Sequence, residues 1–317
     1  MISIWKDYYV QLGYDEKVSY RINCNGDIAY QGIAHRRPGA STIPIKINDI
    51  CAGYFGKRVI PADKTPTLVP VVDFSVQIWE GASLETIDED TIVADWSYDR
   101  KFNNFGMYSF PINGHVCKGM PIVFTKYADY TSLFIHLGKG NSVIDNEDIE
   151  LPSDMQLYDL SYTPTTYIEY DWAEIEGNRY TFVNNCHRYA LYYVNAYGGW
   201  DFLLIEGNHK EQDSLIRHTR ETEYDNRSIS NRGRINYVNE ISKSITLHTS
   251  WLSDEQSSRM HHLLNSTEVL LFDIESKEMI PVILKNTTTE YMSYKSNGGK
   301  LVNYTLEVEY ANGMTRQ

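Results

Sequence analysis

Apolar and polar positions alternate with a period of two in several segments of the chain, which predicts strands with one buried face. Val18, Tyr20 and Ile22 alternate with Ser19, Arg21 and Asn23, Asn25-Gly26 supplies a hairpin turn, and Ile28-Ala29-Tyr30 returns. Ile43, Ile45 and Ile47 repeat the pattern, as do Val72, Phe74, Val76 and Ile78. Shorter strands are predicted at Ile122-Val123-Phe124 and at Leu133 to Leu137, with glycine and asparagine between them. Tyr189 to Val194 and Trp200 to Ile205 read as partners joined through Gly198-Gly199. One segment breaks the rule. Ser253-Asp254-Glu255-Gln256 forms a capping box, and Met260, Leu263 and Leu264 then recur at helical spacing, predicting one short helix over about 253–265. The closing strand is strictly amphipathic, with Val302, Tyr304, Leu306, Val308 and Tyr310 on one face.

The expected fold class is mainly β, in three parts. Residues 1–70 form an N-terminal β segment ending in a connector that carries Pro61, Pro66 and Pro70. Residues 71–150 carry short strands at close spacing, as in an immunoglobulin-like sandwich, without the Cys–Trp–Cys pattern. Residues 151–317 combine many strands with the single helix, the pattern of a barrel flanked by a helix, and carry a long polar hairpin at about 207–243. The main boundary is expected within the run from Asp145 to Glu176, which holds ten acidic residues, Pro152 and Pro164, and no lysine or arginine.

Charge narrows the function classes. Lys+Arg number 29 against 42 Asp+Glu, so the net charge of −13 opposes a duplex wrapper held by counterion release. The 25 tyrosines suit half-buried sheet surfaces and wet interfaces, so an assembly-prone β protein is the first expectation. No apolar run spans a bilayer, no secretory signal precedes the first strands, and no membrane partner is expected. Cys24, Cys51, Cys117 and Cys186 are scattered without a Cys-x-x-Cys pair and read as small buried hydrophobes in a reducing compartment.

Chemistry is sparse. His261 and His262 are adjacent on the helix and point about 100° apart, so they do not share an ion. Cys186 and His187, neighbours on a strand, face opposite sides. Asp88-Glu89-Asp90 and Asp145 to Asp148 lack the spacing of a calcium loop. No nucleotide-binding glycine loop, nucleophile elbow or zinc-protease helix is written in the chain, so no catalytic residue, cofactor or metal site is assigned. Aromatic platforms at Trp79, Trp96, Trp172, Trp200 and Trp251 keep a carbohydrate-binding module as the alternative, and a hydrolase acting on a host envelope is a third class.

What stands out is the hairpin. Between His209 and Lys243 it holds seven basic residues and six acids, including Arg217, Arg220, Arg227, Arg232 and Arg234. Mixed charge on a projecting hairpin suits pairing between subunits, where it sets register more than affinity.

The order strand, long polar hairpin, strand, capped helix and three strands resembles the split barrel shared by tail-tube, distal-tail and hub proteins of tailed phages. The segment Tyr189-Ala190-Leu191-Tyr192-Tyr193-Val194-Asn195-Ala196-Tyr197-Gly198-Gly199-Trp200-Asp201 is similar to one in tail proteins of phages and prophages of Bacteroides-type bacteria, including crAss-like phages. Ile28 to Ala34, Arg37-Pro38-Gly39 and Ile45 to Ile50 resemble the same group. The resemblance implies a structural virion protein made in the host cytoplasm. It would form a ring of roughly six or twelve copies with other tail proteins, around a lumen through which DNA passes. An acidic lumen repels phosphates, so the duplex slides. Glu169, Asp171, Glu174 and Glu176 are the candidate lining.

Overall fold

In the computed structural model, residues 2–3, 7–13, 15–56, 58–80, 82–93, 109–128, 132–152, 156–164, 169–183, 187–221, 234–293, 300–311 and 314–316 are described. The fold is mainly β, as the alternation predicts, and its sheets are predominantly antiparallel.

The first sheet runs in the order Ile2–Ser3, Ser83–Val93, Val71–Glu80, Lys17–Cys24, Asp27–His35. Its buried side is the predicted face: Val18, Tyr20, Ile22, Val72, Phe74 and Val76 pack against Ile47 and Cys51 of a one-turn helix, Asn48–Cys51, and its flank. Asn25, with φ 51°, and Gly26, with φ 87°, form the tight turn between its two N-terminal strands. Because Val71–Glu80 pairs with Lys17–Cys24, strand pairing crosses position 70.

Two smaller sheets follow. Ile122–Tyr127, Leu157–Tyr162 and Thr67–Leu68 form one. Ser142–Glu150, Ser132–Lys139, Trp172–Ile175, Asn178–Val183 and His115–Cys117 form the other. Ser132–Lys139 pairs both with Ser142–Glu150 and with Trp172–Ile175, so pairing also crosses position 150. The strands between 71 and 150 are thus divided among three sheets, because each apolar face finds its cover on a different neighbour.

The largest sheet runs Trp200–Leu204, Tyr189–Val194, Val269–Asp273, Glu278–Ser293, Lys300–Tyr310, Arg234–His248, His209–Glu221, with Met314–Arg316 also paired to Arg234–His248. Tyr189–Val194 and Trp200–Leu204 are covered on both sides, which is why their sequences are almost continuously apolar. Tyr192, Trp200 and Phe202 enter the core shared with the smaller sheets, while Leu191, Tyr193 and Leu203 enter a second core with Met260 and Leu263 of the Asp254–Leu264 helix. That helix has the predicted capping box, with Ser253 Oγ accepting from the Gln256 N–H at 3.3 Å and Gln256 Oε1 accepting from the Ser253 N–H at 3.0 Å.

The expected barrel is an open sheet. Its outer strands, Trp200–Leu204 and His209–Glu221, pair with one neighbour each and not with one another. The physical reason is the treatment of the Trp200–Leu204 edge.

Candidate functional site

The outer edge of Trp200–Leu204 is closed by side chains. Ser109 Oγ donates to the Trp200 carbonyl at 2.6 Å, Asn113 Nδ2 donates to the Leu204 carbonyl at 3.2 Å, and the Trp200 N–H donates to Thr125 Oγ1 at 3.0 Å. A neighbouring strand would need these same groups, so they are satisfied inside the chain.

Thr125 is itself held in a buried network. Its hydroxyl donates to Asp159 Oδ1 at 2.6 Å, and Arg58 Nε donates to Asp159 Oδ2 at 3.0 Å. Arg58 also reaches Asp159 Oδ1 and the Gly198 carbonyl through its two Nη atoms. The side chains of Arg58 and Asp159 are 5% and 2% exposed. The fork therefore ties the connector to the Leu157–Tyr162 strand and to the turn before Trp200. Next to it, fully buried Asp201 accepts from Asn195 Nδ2 at 2.7 Å and from the Phe110 N–H at 2.6 Å. Loss of solvation pushes its carboxyl up to about 8, against the opposing pull of those hydrogen bonds.

The opposite edge is treated differently. His209–Glu221 and Arg234–His248 pair through all of the shorter strand, but Lys300–Tyr310 backs the longer one only from Ser244 to His248, and Met314–Arg316 only at Asn239 to Ile241. The two strands thus form an arm that leaves the body. Apart from half-buried His218, every residue from Glu211 to Arg220 is exposed, so neither face of the outer strand is covered. Leu215, Ile216 and Tyr237 are 48%, 52% and 56% exposed. At its root the arm is fastened by Tyr189, whose hydroxyl donates to Glu211 Oε1 at 2.7 Å, and by Arg188, 2.9 Å from the same oxygen. Burial and that carboxylate push the Tyr189 phenol up.

Of the predicted hairpin arginines, Arg217 and Arg220 lie exposed on the outer strand. Arg234 begins the returning strand, and Arg227 and Arg232 lie outside the described residues. The four acidic candidates lie close in sequence but differ in role. Glu169 is exposed in a turn, and Glu174 is half-buried on Trp172–Ile175. Asp171 Oδ2 accepts from the Gly140 N–H at 2.8 Å, and Glu176 takes the ammonium of buried Lys126 at 3.1 Å. Two of the four are therefore already engaged within the chain.

A second edge shares the arm's character. Ser142–Glu150 is the outer strand of its five-stranded sheet and is exposed at nearly every position. Val143 and Ile144 are 52% and 57% exposed and are followed by Asp145, Glu147, Asp148 and Glu150.

Reactive groups take structural places. His115 Nδ1 lies 2.5 Å from Glu206 Oε1, while Ser250 Oγ donates to Glu206 Oε2 at 2.7 Å. Here the carboxylate stands between hydroxyl and imidazole, whereas a nucleophile needs the imidazole on the hydroxyl. Glu206 holds the His115 imidazolium above its ordinary value, and His115 and Ser250 hold the Glu206 carboxyl below its own. Cys24 and Cys51, 27 residues apart in sequence, bring their sulfurs to 3.5 Å in the first core, a pairing that no sequence spacing announces. Cys186 and Trp96 lie outside the described residues. Trp172 and Trp200 are buried at 6% and 0% exposure and present no stacking face, Arg21 covers Trp79 at 5.5 Å, and Trp251 is 42% exposed. Among the described residues no group of three or more His, Cys, Asp or Glu is arranged to hold a metal ion, and no helix is long and apolar enough to cross a membrane.

No family model matches the chain, and no curated protein matches it.

Proposed function

We propose that the chain is a structural subunit that assembles with copies of itself, and that its place is a ring in the tail hub or distal tail of a phage. One observation carries the assembly reading. The chain closes one edge of its large sheet with its own side chains and extends the other, over the 13 residues of His209–Glu221, into solvent on an arm with exposed Leu215 and Ile216. A long edge with unpaired backbone groups and exposed apolar residues invites pairing, and soluble proteins ordinarily blunt such edges. An edge kept open beside one that is sealed fits a partner strand supplied by another chain. The tail assignment draws on the resemblance of the Tyr189 to Asp201 segment and of the C-terminal element order.

The net charge of −13 supports a bore that passes DNA without binding it. Glu169 and Glu174, free of the engagements of Asp171 and Glu176, supply the lining. Mass measurement and negative-stain imaging of the purified protein test the reading: closed rings are expected, with weak, salt-sensitive or absent affinity for duplex DNA. A basic bore would contradict it.

A further inference from the structure

We infer that the arm's outer strand, His209–Glu221, docks in parallel beside the outer strand Ser142–Glu150 of a second copy, making a head-to-tail contact. The inference rests on the assembly reading and names its partner surface.

Three observations point to this pairing. Both strands are sheet edges whose outer sides carry no strand partner among the described residues. Each exposes an apolar pair, Leu215-Ile216 on one and Val143-Ile144 on the other, all between 48% and 57% exposed. Each pair is followed by charges of opposite sign at matching offsets. With Leu215 set beside Val143 in parallel, Ile216 meets Ile144, Arg217 meets Asp145 and Arg220 meets Asp148. Antiparallel registers that pair the arginines with these carboxylates set Leu215 against Glu150 or Glu147.

The contact is also open on both sides. Arg217 and Arg220 are exposed, and so are Asp145 and Asp148. Asp145 accepts from the Tyr170 hydroxyl at 3.0 Å and from the Asn146 N–H at 2.8 Å, exposed contacts that exchange readily for a neighbouring strand. A register shift in Ser142–Glu150 falls at Ile144, where Leu137 pairs with Asp145 and Gly138 with Val143. Long arginine side chains span the one-residue offset it introduces. Self-pairing of the arm is poorer. Antiparallel pairing about Leu215 sets Asp213 against Arg217 but also Lys210 against Arg220, each twice, so its charges cancel, and pairing about Ile216 puts Glu211 against Glu221 twice. A head-to-tail contact closes a ring when its rotation divides the circle and otherwise grows a filament.

Charge reversal tests it on the full chain. Arg217→Asp with Arg220→Asp is expected to lower the assembled fraction at least tenfold by analytical ultracentrifugation, and Asp145→Arg with Asp148→Arg to do the same. Mixing the two variants is expected to restore hetero-assembly. Leu215→Cys mixed with Val143→Cys is expected to give an intermolecular disulfide under mild oxidation. All six positions are exposed, and circular dichroism checks that each variant stays folded. Reversed variants that assemble like the parent, or mixtures that fail to recover, overturn this contact while leaving self-assembly standing. A parent protein that stays monomeric overturns both.

Discussion

Arg58 and Asp159 lie 101 positions apart, and together they hold three parts of the molecule at one buried point. A buried pair of this kind is weak evidence for stability in itself, because desolvating both ions offsets their attraction. Removing one partner is another matter. Asp159→Ala strands the guanidinium and loosens Thr125, so a loss of about 3–5 kcal/mol is expected in denaturant unfolding. The double change Arg58→Met with Asp159→Leu should recover most of it. Asp201 gives a pH signature. Burial pushes its folded carboxyl up to about 8, well above the ordinary carboxylate range, so the native state binds more protons than the unfolded chain across that interval. Stability therefore falls as pH rises from about 4 to about 8. His115, also raised in the folded state, loses its contribution in the same direction as pH passes its folded value. Asp201→Asn loses the Asn195 bond but should flatten the slope, measured as Tm against pH. Neither site is visible in the sequence. A lone aspartate inside Trp200-Asp201-Phe202-Leu203-Leu204 gives no sign that both its hydrogen-bond donors come from loops, and the Arg58 partner is fixed only by the fold.

Elements were far easier to read than their neighbours. The Asn25-Gly26 hairpin, the Tyr189–Val194 and Trp200–Leu204 pair and the capped helix all follow from local pattern, because turn chemistry and capping act within a few residues. Ser253→Ala removes an acceptor from the first turn of Asp254–Leu264 and is expected to cost about 1 kcal/mol in thermal or denaturant unfolding. Wild-type stability in that variant would show that Met260 and Leu263, not the cap, hold the helix. Which sheet each strand joins was not legible. Val71–Glu80 has the alternation of any half-buried strand, and only long-range packing sends it to Lys17–Cys24. The open sheet has the same kind of cause: Ser109, Asn113 and Thr125, remote in sequence from Trp200, occupy the edge that closure needs.

At the scale of the molecule, the two edges of the large sheet are finished differently. One is finished within the chain, and the other is carried outward on an arm with a mixed-charge surface. The polar hairpin was legible as a projecting element because its length and balanced charge set it apart from the other strands of this half. Which edge lay open became visible only with the side chains in place. Sedimentation of the purified full-length chain over a wide concentration range, at low and at high salt, tests the account most directly. A discrete assembly of many subunits is expected, one that weakens as salt screens the arm's charges. A single monomeric species at every concentration and ionic strength would contradict it.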